Sequence, residues 1–175
     1  ILLLFSLFGL AQKQPGIDFD YLKKTITSER KNAAHKIAFK ANPNTSNYDI
    51  GYHRFVWEVD PVKTELKGEV TTYFTALSNM QEIVFDLADN MKVSSVKQRD
   101  QMLSFSQNSK DELIISLPSS QSPGTLDSLT IFYQGNPVSS GFGSFEISTH
   151  GSANVPVLWT LSEPYGAKGW WPCKQ

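Results

Sequence analysis

The order of apolar and polar residues changes character along the chain. From Ile17 to about Ala41, Tyr21, Leu22, Ile26, Ala33, Ile37 and Phe39 recur near the 3.6-residue period, while Asp20 and Lys24 stand four apart on another face. This predicts one amphipathic helix. Asn42-Pro43-Asn44-Thr45-Ser46-Asn47 is a cluster of turn formers that ends it and marks a boundary. From there the period falls to two. In Tyr52–Val59 the residues Phe55, Trp57 and Val59 share one face of a half-buried strand, and Asp60-Pro61 turns the chain. Gly68–Leu77 alternates Val70, Thr72, Phe74 and Ala76 against Glu69, Thr71, Tyr73 and Thr75, as a hairpin partner would.

Further short strands are predicted over Glu82–Leu87, Met91–Lys97, Gln101–Phe105, Glu112–Leu117 and Ser128–Tyr133, separated by polar turn segments. Strands at this spacing form an antiparallel sandwich or barrel. No strand precedes a helix long enough for a crossover, which argues against a parallel dinucleotide-binding sheet. Gly135–Ser152, rich in Gly and Ser around Phe142 and Phe145, reads as a long loop with one short strand. Leu158–Cys173 holds three of the four Trp and the only Cys, interleaved with Gly and Pro, and reads as an aromatic-walled loop.

Composition narrows the function. A chain of 175 residues that is 40% hydrophobic can bury one core, and a net charge of −1 with Lys and Arg dispersed offers no seat for nucleic acid. Ile1–Leu10 is almost wholly apolar but well short of the roughly 20 residues of a spanning helix. Small residues at Gly9 and Ala11 ahead of Gln12-Lys13-Gln14-Pro15 suit a signal peptide cleaved after Ala11, entered here within the signal. A buried N-terminal strand is the competing reading. The expected location is therefore secreted or periplasmic, with no transmembrane segment. In that setting a lone Cys173 is either buried and inert or paired beyond Gln175.

Most candidate chemistry falls away. His35, His53 and His150 share no ligand spacing with one another or with Cys173, so no metal site is expected. Gly141-Phe142-Gly143 lacks the Lys-Ser/Thr and helix of a phosphate loop, and no Gly-x-Ser-x-Gly elbow occurs. Asp86, Asp89, Asp111 and Glu112 lie at predicted strand ends, where carboxylates form turns; a paired glycosidase arrangement has no support in the sequence. Glu163, between Ser162 and Pro164 in the aromatic loop, is different: partly buried there, its charge needs a cation. Lys168 would serve as an internal partner, and the ammonium group of a ligand as an external one.

The run Thr160-Leu161-Ser162-Glu163-Pro164-Tyr165-Gly166-Ala167-Lys168-Gly169-Trp170-Trp171-Pro172-Cys173 resembles the end of the N-terminal domain of the zinc aminopeptidase N family, with its Thr-Gln-x-Glu-Pro-x-x-Ala-Arg-x-x-x-Pro-Cys type of segment. Tyr48–Pro61 and Lys67–Phe74 are similar to that family's opening strands, so the likeness covers about residues 48–175. The resemblance implies a mainly β chain. Residues 1–11 are then a signal remnant, 12–47 a leading helix and linker, and 48–175 an antiparallel β-sandwich domain preceding a catalytic domain of the same chain. It also implies that Glu163 binds the α-amino group of peptide substrates with a free N-terminus, with Ser162, Lys168 and Leu161 as supporting positions. Leu161 stands where many members have Gln, and Lys168 where Arg is usual, removing a polar contact and a bidentate fork. The zinc ligands and general base of the family's helical motif have no counterpart here, so the parent enzyme would hold zinc and this stretch alone would be inactive. A free-standing β-sandwich module binding glycan or peptide on the Trp cluster is the alternative.

Overall fold

The computed structural model describes residues 19–138, 144–162 and 165–175, the side chains of residues 32 and 35–38 excepted. Helix α1 spans Phe19–Ala38 and is followed by a 3-10 turn at Pro43–Thr45. The strands are β1 Tyr48–Val59, β2 Leu66–Ala76, β3 Met80–Asp86, β4 Met91–Gln98, β5 Gln101–Met102, β6 Phe105–Gln107, β7 Glu112–Gln121, β8 Leu126–Gly135, β9 Phe145–His150 and β10 Val155–Thr160. They form a five-stranded sheet in the order β1-β2-β8-β4-β5, a three-stranded sheet β3-β7-β6 and a separate β9-β10 ribbon. All pairings are antiparallel. The chain is thus a mainly β sandwich preceded by one helix.

Alternation decides what lies inside. Val70, Phe74, Leu129 and Ile131 of the larger sheet and Ile83, Phe85, Leu113 and Ile115 of the smaller one join a single buried cluster. Burying each such side chain contributes about 1.5–3 kcal/mol. Tyr48 is fully buried at the edge of this cluster, its ring 6.0 Å from Phe74 and 5.6 Å from Phe85, and its hydroxyl donates to the Val84 carbonyl at 2.6 Å. Burial pushes the Tyr48 phenol far above its usual range.

In β1 the pairing with β2 shifts between Ile50 and Tyr52. One extra residue reverses which face the following side chains occupy, so His53, Phe55 and Trp57 continue the face begun by Tyr48 and Ile50. On β2, Gly68 makes room for Tyr133: a Cβ there would stand 2.3 Å from the Tyr133 ring. The freed space lets the Tyr133 hydroxyl accept a hydrogen bond from Trp57 Nε1 at 3.0 Å.

The sequence expectations need four corrections. Gln101–Phe105 is not one strand: Gln101–Met102 pairs with β4, and Phe105–Gln107 crosses to β7 in the other sheet. Strand β7 continues through Pro118 to Gln121. The short strand expected within Gly135–Ser152 is β9, whereas the supposed aromatic loop begins as strand β10, which carries Trp159 opposite Glu146. Pro156 is tolerated because each strand of a two-stranded ribbon has an open edge that needs no donor. Helix α1 forms as expected, but Phe19, Tyr21, Leu22 and Ile26 are exposed. These four apolar residues are therefore not part of a buried stripe.

The linker is fastened to the smaller sheet by Asn side chains. Asn42 Oδ1 accepts from the Asn44 amide at 3.0 Å, and Asn42 Nδ2 donates to Asp86 at 3.0 Å. Asn44 Nδ2 donates to Glu112 at 2.8 Å. Asp86 and Glu112 face each other across the β3-β7 pairing, so two neighbouring buried carboxylates are each held by an amide of the linker. Asn108 Nδ2 adds a bond to Glu112 at 2.7 Å. These bonds, that of Asn108 foremost, hold the Glu112 carboxyl below its ordinary value against the opposing effect of burial.

Candidate functional site

Glu163, the residue singled out by the sequence, and Pro164 lie outside the described residues. The residues on either side of them are tied to one another and to the sandwich. Ser162 accepts the Gly166 N–H on its carbonyl at 2.8 Å, joining the two ends of residues 162–166. Each end is then held a second time. Trp170 Nε1 donates to Ser162 Oγ at 3.0 Å, and Ser144 Oγ donates to the Gly166 carbonyl at 2.5 Å. Ser144 is buried. A Cβ at Gly166 or Gly169 would come within 3.2 or 3.0 Å of Ser144 atoms, so both glycines permit the close approach.

Behind this segment the chain makes a 3-10 turn at Ala167–Gly169. Lys168 Nζ binds Asp111 Oδ2 at 2.7 Å, and the Lys168 carbonyl accepts the Ala88 N–H at 2.8 Å. Asp111 adopts a left-handed backbone, φ 61°, in the turn before β7, a conformation that Asp tolerates better than most residues. Among the described residues, the carboxylate that Lys168 meets is Asp111, on a loop distant in sequence.

The Trp residues divide. Trp170 is 6% exposed and packs 4.9 Å from Trp57 and 5.9 Å from Phe145. Trp171, partly buried, stands edge-on to His53 at 5.2 Å and to Phe55 at 4.9 Å. Trp159 is 46% exposed on β10, and Leu161 is also exposed. So the aromatic run is neither plain core nor an open platform: Trp170 is a buried anchor, Trp171 covers β1, and Trp159 faces outward. His53 Nδ1 lies 2.9 Å from Thr72 Oγ1, and burial lowers the imidazole below its ordinary value.

The tail closes the site from behind. Cys173 forms an antiparallel bridge with Asp86, exchanging backbone hydrogen bonds at 2.7 and 3.0 Å. Its thiol is 2% exposed and pushed well up by burial, with the Asp86 carboxylate adding to the shift. The Gln175 N–H donates to Asp86 Oδ2 at 3.0 Å, and Lys174 reaches the Tyr48 carbonyl while lying over the Tyr48 ring. A cleft of about 330 Å³ opens between this tail and Tyr165, whose ring stacks on Phe39 with centroids 3.6 Å apart. The cleft's Asp86 and Lys168 are both already bonded within the protein.

Among the described residues no group of three or more His, Cys, Asp or Glu could hold a metal ion. No helix of the described residues is long and apolar enough to cross a membrane. Ser144, Asp111 and the Trp170–Ser162 contact were not read as site features from sequence. Ser144 lay hidden in a Gly/Ser-rich stretch, and the other two depend on contacts that no local pattern reveals.

The fold is that of an antiparallel β-sandwich, and solved structures share it. It is similar to an M1 zinc metallopeptidase from Deinococcus radiodurans, at 26% identity and a TM-score of 0.61 over 74% of this chain and 29% of that one. A two-domain M1 zinc metallopeptidase variant bound to L-tryptophan matches at 25% identity and a TM-score of 0.60, over 74% of this chain and 30% of the other. A Deinococcus radiodurans variant bound to a Tyr-Ser-Ala substrate gives 24% identity and a TM-score of 0.59, over 73% and 29%. The chain thus spans less than a third of the length of these structures. No family profile and no curated protein matches the sequence.

Proposed function

We propose that this chain supplies the N-terminal β domain of an exported zinc-dependent aminopeptidase, a hydrolase that removes residues from the free N-termini of peptides. Residues 48–175 form the domain, 12–47 the leading helix and linker, and 1–11 the remnant of a signal peptide. The observation that carries this reading is the match to M1 zinc metallopeptidases over 74% of this chain and only 29% of theirs. The Ser162-Glu163-Pro164 run supports it, because its described flanks are pinned to the sandwich.

The described residues do not fit a zinc site, so the metal and the bond-breaking chemistry belong to a catalytic domain of the same protein. What this chain contributes is recognition. The Glu163 carboxylate receives the substrate's α-ammonium in a charge-assisted hydrogen bond, and truncating one partner of such a buried pair costs about 2–5 kcal/mol. An N-acylated or internal peptide lacks the cation and leaves the carboxylate without its partner. In the full-length enzyme, Glu163→Ala should raise the Michaelis constant for aminoacyl anilides. An unchanged constant would refute the anchoring role.

A further inference from the structure

A sheet edge is a row of unpaired backbone donors and acceptors, which proteins blunt by shortness, Pro, Lys, a bulge or a covering segment. Most edges of this chain carry such a device. In the larger sheet β5 has two residues; in the smaller one β6 has three and β3 is bridged at its end by Cys173; β10 contains Pro156. Strand β1 is the exception. It ends the larger sheet, pairs only with β2 among the described residues, and runs from Tyr52 to Val59 without Pro, Lys or irregularity, the register shift lying before Tyr52. Among the described residues, no backbone group of Tyr52–Val59 is hydrogen-bonded across the side away from β2. Tyr52, Val56, Trp57 and Val59 are exposed along it.

The strand is also complementary to itself. Laid antiparallel to a second β1 about a two-fold axis at Val56, it sets Val56 against Val56, Phe55 against Trp57 and Arg54 against Glu58, the last two contacts twice by symmetry. Arg54 already lies 3.2 Å from Glu69, and Glu58 3.6 Å from Lys67, both pairs largely exposed. The join extends them into a row of alternating sign that crosses the seam, from Glu69 and Arg54 of one copy to Glu58 and Lys67 of the other. An axis at Phe55 or at Trp57 sets Glu58 against Tyr52 or Val56 instead, so charge selects the register.

We propose that this protein forms a two-fold dimer by antiparallel pairing of its β1 edges, in register at Val56, which joins the two five-stranded sheets into one. The join uses none of the residues assigned to amine recognition and stands apart from that reading.

The test is sedimentation velocity of the full-length protein at micromolar concentration, where a dimer is expected. Arg54→Glu sets like charges face to face twice and should weaken association about 10–100-fold; combining it with Glu58→Arg restores opposite signs and should recover most of the loss. Val56→Lys brings two ammonium groups together on the axis and should leave only monomer, with an unchanged far-UV circular dichroism spectrum. Register is read separately. Val56→Cys should crosslink into a dimer under copper-catalysed oxidation by air, because directly opposed residues have Cα atoms about 4.5–5.5 Å apart. Tyr73→Cys, exposed one strand further in, should not. Should Val56→Lys fail to fold, the charge exchange between Arg54 and Glu58 decides alone. A parent that sediments as a monomer overturns the proposal and assigns the edge to a catalytic domain or another protein. A dimer that Arg54→Glu leaves intact, or that Val56→Cys does not crosslink, overturns it as well, because the contact then lies elsewhere.

Discussion

Replacing Gly68 by Ala probes how the layer beneath Trp170 is assembled. The added methyl would stand 2.3 Å from Cε1 and Cζ of Tyr133 and 2.5 Å from its hydroxyl. Tyr133 is 3% exposed and sits within the core cluster, so its ring has no free volume into which to retreat. Forcing a methyl into such a site costs about 1–3 kcal/mol. Displacing the ring also breaks the 3.0 Å bond from Trp57 Nε1, a further loss of about 1 kcal/mol. The lower backbone entropy of Ala in the unfolded chain returns about 0.5–1 kcal/mol. The balance is a destabilisation of about 1–3 kcal/mol, read from the urea midpoint by far-UV circular dichroism with an unchanged slope. Tyr133→Leu introduced together with Gly68→Ala should cost much less than it does alone, a coupling of at least about 1 kcal/mol. A Gly68→Ala protein as stable as its parent, or fully additive costs in the pair, would show that the glycine is not there to admit the ring.

Acid should act on the linker bonds. The Glu112 carboxyl is held below its ordinary value of 4.5, so the stability it contributes is complete above that pH and is lost as the pH falls through the folded-state value. Urea midpoints measured between about pH 3 and pH 6 should therefore slope less steeply at the acid end in Glu112→Gln than in the parent; parallel slopes would contradict the assignment. A separate decline just below pH 6.5 belongs to His53, because the unfolded imidazole takes up its proton before the buried one does. The Cys173 thiol should resist an aromatic disulfide reagent at neutral pH and react at once in denaturant. Rapid labelling of the folded chain would mean that the Cys173–Asp86 bridge opens readily.

What could be read from sequence was periodic and local. The β1-β2 hairpin is visible because Phe55 and Trp57 on one strand, and Val70 and Phe74 on the next, alternate cleanly with polar residues. Of the β9-β10 ribbon only one short strand is legible, because Gly and Ser dominate its approach and Pro156 interrupts β10, which is harmless only at an open edge. The Trp residues show the limit most plainly. Adjacent Trp170 and Trp171 differ in burial because they follow directly on the 3-10 turn and point to different neighbours, and Trp159 differs from both because it lies on a strand. No local pattern reveals that the Lys168 ammonium bonds Asp111, which comes close only when the β6-β7 turn folds against the tail. Glu163 itself gained a role from the resemblance of the run around it; residue type and spacing left its cation open.

Asn42 and Gln175 bond to opposite oxygens of one carboxylate, that of Asp86. The polypeptide between them is therefore a loop whose two ends arrive at a shared post. Such a body lends itself to grafting as a cassette: spliced into a surface turn of a host protein, it would demand little separation between the insertion points, and the positions of Asn42 and Gln175 could be joined by a short bridge and new ends opened elsewhere. It also means that tension applied between the segments flanking the sandwich would bear first on the Asp86 side chain and the bridge to Cys173, leaving the β-sheets themselves unloaded until that junction parts.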